Sequence, residues 1–170
     1  MAGMNSEKLS KRARQPGHDR TFVHSEQSFY DALTMILDES EWEVVDKPKQ
    51  LRQMIEDRYG IEPEASIRHR GTGKTLFFEV KKQKGGGNAD ERACKHHTVQ
   101  FYKTMQKRFG YDYHPFVTIM CENLAVDDRY VLKHPTYFED GQYFLWKDYD
   151  LDSLEDYLLD TIDRFNMESE

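Results

Sequence analysis

Two strand-like stretches joined by a glycine-containing turn constrain the fold of this chain more than any other feature. The stretches EASIRHR and KTLFFEVKKQ flank Gly71–Gly73, and both have the short, apolar-rich pattern of a β-strand. Glycine supplies the backbone freedom that a tight turn requires. We therefore predict a hairpin. Since alternate side chains of a strand point to opposite faces, one face of the second strand is apolar and the other carries Glu79, Lys81 and Gln83.

The turn contains GTGKT, which resembles the end of a phosphate-binding loop and would indicate a nucleotide-binding protein. Such a loop needs a glycine five residues before its Gly-Lys pair, and it runs from a strand into a helix. Arg68 occupies the position of that glycine, and the residues after the turn have the pattern of a strand. We therefore interpret GTGKT as the connection of the hairpin.

The remaining segments predict an α/β protein. PFVTIMCE is a continuous apolar run, typical of a strand that is buried on both faces. GGGNADERACKHHTVQFYKTMQKRFG begins as a glycine-rich loop and continues as one long helix that ends at Gly110. QYFLWKD predicts a further strand, and LDSLEDYLLDTIDRF predicts an amphipathic closing helix. We expect a single domain over residues 23–170, preceded by a flexible basic arm over residues 1–22.

Charge is distributed unevenly along the 170 residues, although the net charge is −7. From Arg68 to Arg108 there are eleven Lys and Arg against three acids, whereas from Glu122 onward there are four against fourteen. This asymmetry fits a cationic cleft on an acidic body, which a polyanion such as DNA could occupy. Two oppositely charged solvated faces are the alternative.

Cysteine content and hydropathy indicate the compartment. Cys94 and Cys121 are the two cysteines of the sequence, so we expect no disulfide framework and a reducing, cytoplasmic environment. No apolar run approaches the roughly 18 residues that span a bilayer. The first residues lack the apolar region of a secretory signal.

Carboxylates and a lysine come together in the predicted hairpin. Glu64 follows Pro63 at the start of the first strand, and the second strand carries Glu79 and Lys81 on one face. Two carboxylates on neighbouring strands can hold Mg²⁺. Such an ion polarises a phosphodiester and acidifies water, while an adjacent lysine orients that water. A salt bridge between strands is the alternative.

The segment GNADER lies where a glycine-rich loop becomes a helix. Asn88, Glu91, Arg92 and Lys95 lie on the loop and the first helical turn, and a helix start of this kind can reach base edges in the major groove of DNA. An ion pair between Glu91 and Lys95, four residues apart, is the alternative.

A zinc site is a weaker interpretation of the same region. Cys94, His96 and His97 lie within one helical turn, but no second pair of ligands follows at the spacing of a zinc finger. We expect His96 and His97 to face DNA or solvent.

Taken in order and spacing, these motifs resemble the PD-(D/E)XK type II restriction endonucleases. The resemblance extends from DKPKQLRQM through PFVTIMCE to YFLWK and so covers most of the chain after the arm. The residues that carry it are Pro63-Glu64, then Glu79-Val80-Lys81 with Gln83, then Gly87-Asn88-Ala89-x-Glu91-Arg92-x-Cys94-Lys95.

This resemblance implies a restriction-endonuclease-like core, in which helices flank a central mixed β-sheet. It implies a homodimer that cuts palindromic double-stranded DNA in a Mg²⁺-dependent reaction, with Mn²⁺ as a substitute, and leaves 5′-phosphates. It assigns metal binding to Glu64, Glu79 and the Val80 carbonyl, and it places Lys81 at the attacking water.

The resemblance also assigns recognition of a central AATT. The DNA-contacting residues that we expect are Gln83, Asn88, Ala89, Glu91, Arg92 and Lys95. A cognate DNA methyltransferase that acts on the same site is an expected partner. A membrane is not.

The chain departs from the family pattern at Glu64, where the family usually has Asp. One extra methylene shifts the carboxylate, so Glu62 or Glu43 could also contribute to the metal site. Two alternative functions follow: a DNA-binding protein that no longer cleaves, and a repair or phage-type nuclease of relaxed specificity.

Overall fold

A five-stranded mixed sheet organises the residues that the computed structural model describes, which are 27–55, 61–83, 89–110, 113–122, 135–139 and 141–169. The strands are β1 (Trp42–Asp46), β2 (Ala65–His69), β3 (Thr75–Gln83), β4 (Tyr113–Glu122) and β5 (Tyr143–Lys147). The α-helices are α1 (Gln27–Ile36), α2 (Ala89–Ala93), α3 (Val99–Phe109) and α4 (Leu151–Arg164). Short 3₁₀ helices span Gln50–Ile55 and Cys94–His97. The predicted arm, residues 1–22, lies outside the described residues.

The strands lie in chain order across the sheet. β1, β2 and β3 are antiparallel neighbours, and β3, β4 and β5 are parallel neighbours. The predicted mixed sheet is therefore confirmed, and so is the hairpin of β2 and β3. Parallel pairing requires a long crossover, and α2 and α3 lie in the crossover between β3 and β4. Within that connection, α2 contacts β3.

The main core fills one face of the sheet. Leu76, Phe78 and Val80 of β3 pack there with residues of α1 and α4. The ring of Phe29 meets the ring of Phe78 edge-on at 5.2 Å, a favourable aromatic geometry. Within the described residues, no helix has the length and apolar character to cross a membrane.

A smaller apolar cluster lies on the opposite face of the sheet. It contains Leu51, Phe77 and Met105, with Phe101 packed against it. Phe77 comes from β3, and Met105 and Phe101 come from α3, so α3 covers this face. Glu79 and Lys81 alternate in step with Phe77 and share this second face.

The predicted long helix is wrong in one respect, because it is broken in the middle. α2 gives way to a 3₁₀ helix at Cys94, and Thr98 has extended backbone angles (φ −78°, ψ 146°). The Thr98 hydroxyl accepts a hydrogen bond from the N–H of Phe101 at 3.1 Å, so Thr98 caps a new helix, α3. The predicted end at Gly110 is confirmed. Gly110 has φ 81° and donates its N–H to the Gln106 carbonyl.

The GTGKT turn holds the last described residues of the chain. Gly73 adopts φ 78°, a left-handed conformation that glycine accepts without strain. The Thr72 hydroxyl donates to the Met167 carbonyl at 2.7 Å, and Lys74 Nζ donates to the carbonyls of Asn166, at 2.9 Å, and Ser169. The threonine that follows this lysine, Thr75, donates its hydroxyl to the Gly73 carbonyl at 3.3 Å, so the lysine and threonine of the apparent phosphate-binding motif both bind backbone carbonyls.

Candidate functional site

Glu79 and Lys81 lie on the second face of the sheet, the face of Phe77. Phe78 is buried in the main core and Phe77 in the smaller cluster, so the predicted alternation along β3 is confirmed. Lys81 Nζ lies 2.7 Å from Glu79 Oε1, and the two side chains are 25% and 10% exposed. A largely buried ion pair contributes little net stability because desolvation offsets the attraction. Its position therefore calls for a chemical explanation.

Glu64 lies next to these residues on the neighbouring strand edge. Its N–H donates to the Phe78 carbonyl at 3.0 Å, and its own carbonyl accepts from the Lys47 N–H at 3.0 Å. These bonds hold the Glu64 backbone between Lys47 and Phe78, next to the first register pair of β2 and β3, Ala65 with Phe78. Ala65 begins β2 and is buried in the main core, and Glu64 is the half-buried residue immediately before it.

The two other acids considered from the sequence are engaged elsewhere. Glu62 Oε2 lies 2.6 Å from Arg52 Nη2. Glu43 lies on β1, where its register partner is Arg68 and the two side chains approach to 3.9 Å. Arg68 is four residues along β2 from Glu64, which corresponds to about 13 Å of strand. Of the three acids, Glu64 is the one whose backbone bonds directly to β3, at the residue before Glu79.

The oxygen donors of Glu64 and Glu79 suit a hard divalent cation. Both side chains end in a carboxylate, whose negative charge attracts such an ion. Mg²⁺ binds oxygen ligands and retains several waters, so it needs few protein ligands. Two carboxylates and the adjacent Val80 carbonyl fit that preference.

The helix α2 packs against β3 and presents polar residues at its surface. Ala93 is fully buried, whereas Glu91, Arg92 and Lys95 are exposed. The α-helix ends at Ala93 and Lys95 belongs to the 3₁₀ helix. Glu91 and Lys95 therefore do not share a continuous α-helix, which weakens the alternative of an ordinary ion pair at this spacing.

Three further predicted DNA contacts are only partly described. Gln83 is the last residue of β3, and Ala89 is the first residue of α2. Asn88 lies outside the described residues. The backbone thus connects the strand that bears Glu79 to the helix that bears Arg92 across residues 84–88.

The expectation that His96 and His97 face DNA or solvent is wrong. His96 is 6% exposed and its ring meets Phe101 edge-on at 5.5 Å. His97 is half-buried and bonds to the sheet. Both turn inward because α2 and the 3₁₀ helix pack onto the second face. Among the described residues, no group of three or more His, Cys, Asp or Glu side chains could hold a metal, so Cys94, His96 and His97 do not form the zinc site considered above.

His97 forms a bridge that sequence inspection missed. Its Nε2 lies 2.7 Å from Thr118 Oγ1 on β4, and its Nδ1 lies 3.4 Å from Gln142 Oε1. Phe138 packs edge-on against the imidazole, with ring centroids 4.7 Å apart. Thr118 and Gln142 are 21 and 45 residues away from His97 in the chain, so no local sequence pattern predicts these contacts.

The two histidines give a pH dependence that can be measured. Burial lowers the pKa of His97 from 6.5 to about 4. Burial, together with the neighbouring Lys95, His97 and Lys81, lowers the pKa of His96 from 6.5 to about 3. Each histidine binds a proton more readily in the unfolded chain, so their contribution to the free energy of unfolding is complete above pH 6.5 and is lost as the pH falls toward 4.

Urea titrations at several values between pH 7.5 and pH 4.5 test this expectation. The wild-type chain should lose stability steadily on acidification, and His97→Phe should lose less because one of the two groups is gone. Equal slopes for both proteins would show that His97 does not titrate as its burial requires.

Comparisons with known proteins point to one class of enzyme. A family model described as type II restriction enzyme MunI matches residues 55–166. The type II restriction enzyme MunI of Mycoplasma sp is 23% identical over 159 residues, covering 72% of this chain and 79% of the relative. A crystal structure of MunI restriction endonuclease in complex with cognate DNA matches with a TM-score of 0.66 and 18% identity, covering 95% of this chain and 96% of that chain. At this identity the structural match establishes a shared fold.

Proposed function

Because the chain belongs to the family of the type II restriction enzyme MunI, it is a sequence-specific DNA endonuclease, and we propose that it cuts both strands of a short palindrome containing AATT. The family resemblance indicated by the motifs is thereby confirmed. One observation carries the proposal: α2, with Glu91 and Arg92, packs against the same strand that holds Glu79 and Lys81. Residues suited to base recognition thus lie beside residues suited to phosphodiester hydrolysis.

The carboxylates would hold the metal that the reaction needs. Glu64, Glu79 and the Val80 carbonyl are the proposed ligands of Mg²⁺, with Mn²⁺ as a substitute. When bound, the ion polarises the scissile phosphodiester and acidifies the attacking water. The burial of Glu79 excludes bulk water, which strengthens electrostatic interactions at this point.

Lys81 would act directly on the reacting groups. Glu79 holds its ammonium at 2.7 Å, which restricts the otherwise flexible side chain. From that position the ammonium can orient the attacking water by hydrogen bonding and offset the negative charge that accumulates on the phosphorus oxygens. Attack at phosphorus with departure of the 3′ oxygen leaves a 5′-phosphate.

Base recognition is assigned to the start of α2. Within AATT, Arg92 can bridge acceptors on neighbouring bases, Asn88 can pair with adenine, and Glu91 can accept from adenine amino groups. Gln83, Ala89 and Lys95 complete the proposed contact surface, in which Lys95 suits a phosphate.

Symmetry completes the proposal. A palindrome has a two-fold axis, and a homodimer presents two identical sites related by the same axis. Each protomer would then cut one strand. An enzyme of this kind requires protection of the host DNA, so we include a methyltransferase with the same specificity as a partner in the cell.

Sequencing the ends of plasmid DNA digested with Mg²⁺ or Mn²⁺ tests the proposed function. We expect 5′-phosphorylated ends at a single palindromic site that contains AATT, and no cleavage in EDTA. Specific binding without any product would instead support the non-cleaving alternative, for which the longer side chain of Glu64 is the structural reason. Scattered termini would indicate a nuclease of relaxed specificity.

A further inference from the structure

We propose that His97 is a positioning residue, which fixes α2 relative to the catalytic strand and thereby makes fast cleavage depend on the correct base sequence. This inference rests on the proposed function, since it concerns the same site. His97 is not a catalytic residue in this account, because it acts through the elements that it joins.

His97 lies at a position from which its side-chain bonds to Thr118 and Gln142 can control the orientation of α2. We call these bonds the anchor. It is the last residue of the 3₁₀ helix Cys94–His97, which continues directly from α2. It lies five positions after Arg92. Beyond it, Thr98 caps a separate helix, α3. No continuous helix therefore fixes the orientation of α2 relative to α3. The side-chain bonds of His97 are therefore well placed to set that orientation.

The residue to which His97 bonds is adjacent to the catalytic strand. Thr118 is fully buried on β4, and its register partner on β3 is Glu79. Neighbouring strands lie about 4.8 Å apart, so the anchor is one strand away from the proposed metal ligand. The Thr118 N–H also donates to the Gln142 carbonyl at 3.0 Å, and the Gln142 side chain reaches the other nitrogen of His97 at 3.4 Å.

Packing fixes the plane of the imidazole. Phe138 meets it at an interplanar angle of 88°, and Phe138 in turn stacks on Tyr143 with centroids 5.1 Å apart. A neutral imidazole has one donor and one acceptor nitrogen. With Nδ1 donating to Gln142 Oε1, Nε2 is free to accept from the Thr118 hydroxyl. This pairing matches the lowered pKa of His97, which keeps the ring neutral above about pH 4.

Loss of the anchor should affect the rate more than the affinity. The exposed side chains of Arg92 and Lys95 would still be present, so DNA would still bind. Small errors of position are costly in the chemical step, where a displacement of about 1 Å lowers a rate by roughly a hundredfold. Fast cleavage at the cognate site depends on that alignment. The cleavage rate constant should therefore fall more at the cognate site than at a site with one altered base pair.

The variants His97→Phe and Thr118→Val remove the bond from either side while keeping the volume. Single-turnover cleavage with enzyme in excess should give a rate constant at the cognate site lower by about tenfold or more. The ratio of cognate to altered-site rate constants should fall as well, with little change in cognate Kd. His97→Gln, whose amide can reach Thr118, should recover part of both quantities. A merely structural role would lower the reacting amplitude and leave the rate constant unchanged.

His69→Phe is the matched control. His69 is also a half-buried histidine that bonds to a threonine hydroxyl, that of Thr72, at 3.2 Å, and it lies five residues along β2 from Glu64, or about 16 Å. The His69→Phe variant should cleave DNA at the wild-type rate. If His97→Phe and Thr118→Val both keep the wild-type rate constants and the wild-type ratio of cognate to altered-site cleavage, the inference about His97 is overturned and the proposed function stands. A wild-type chain that does not cut at AATT would overturn the proposed function, and the inference with it.

Discussion

Replacing Glu79 by Gln is expected to slow DNA cleavage by on the order of a thousandfold, and replacing Lys81 by Met should have an effect of similar size. Glutamine and methionine are close in size to the residues that they replace. The side chain of Glu79 is 10% exposed and that of Lys81 is 25% exposed. Glu79→Gln removes one of the two charges proposed to hold the metal. Lys81→Met removes the ammonium proposed to orient water. Single-turnover cleavage of an AATT-containing duplex measures both.

Binding separates the two variants. Glu79 is a negative charge close to the expected phosphate, so Glu79→Gln should bind DNA at least as tightly as the wild type in the absence of divalent metal. Lys81→Met loses a cation and should bind somewhat more weakly, with a smaller dependence on salt. Affinities measured in EDTA across a range of salt concentrations would test these opposite signs.

The ion pair of Glu43 and Arg68 is the matched control. It joins the same charge types on the same sheet, at 3.9 Å, but it is about half exposed. Glu43→Gln and Arg68→Met should leave the cleavage rate close to that of the wild type. The site assignment fails if either Glu79→Gln or Lys81→Met cuts at the wild-type rate.

Arg92→Lys should lower the affinity for the AATT duplex by roughly tenfold to a hundredfold, and leave the affinity for unrelated duplexes nearly unchanged. Lysine retains the charge of Arg92, so the attraction to phosphates is preserved. It lacks the planar fork that makes two parallel hydrogen bonds to a base edge. The ratio of specific to non-specific Kd, measured at one fixed salt concentration, reports the change.

Arg108→Lys provides the comparison for this exchange. Arg108 is an exposed arginine in the last turn of α3, outside the proposed recognition surface. The specificity ratio should not respond to its replacement. An Arg92→Lys protein with the wild-type ratio would exclude Arg92 as a base-recognising residue.

Much of the catalytic face could be predicted from local pattern. Period-two alternation decides which side chains share a face of a strand, so TLFFEVKKQ was enough to place Glu79 and Lys81 together on the side of Phe77. The glycines of the turn were enough to predict the hairpin that pairs β2 with β3. These features depend on residues close in sequence, where backbone geometry alone determines direction.

Other features depended on contacts between distant parts of the chain. The sequence by itself left Glu43, Glu62 and Glu64 as possible partners of Glu79. The tertiary structure pairs the first two with arginines and bonds the Glu64 backbone to β3 beside Glu79.

The sequence determined the strand faces, the turn and the family, because alternation and motif spacing are local properties. Only the tertiary structure decided that the helix breaks at Thr98, that GTGKT binds the last described residues, and that His97 turns inward to Thr118. Those outcomes depend on which surfaces meet when α2 and α3 pack onto the sheet, and no property of their own segments specifies the partner.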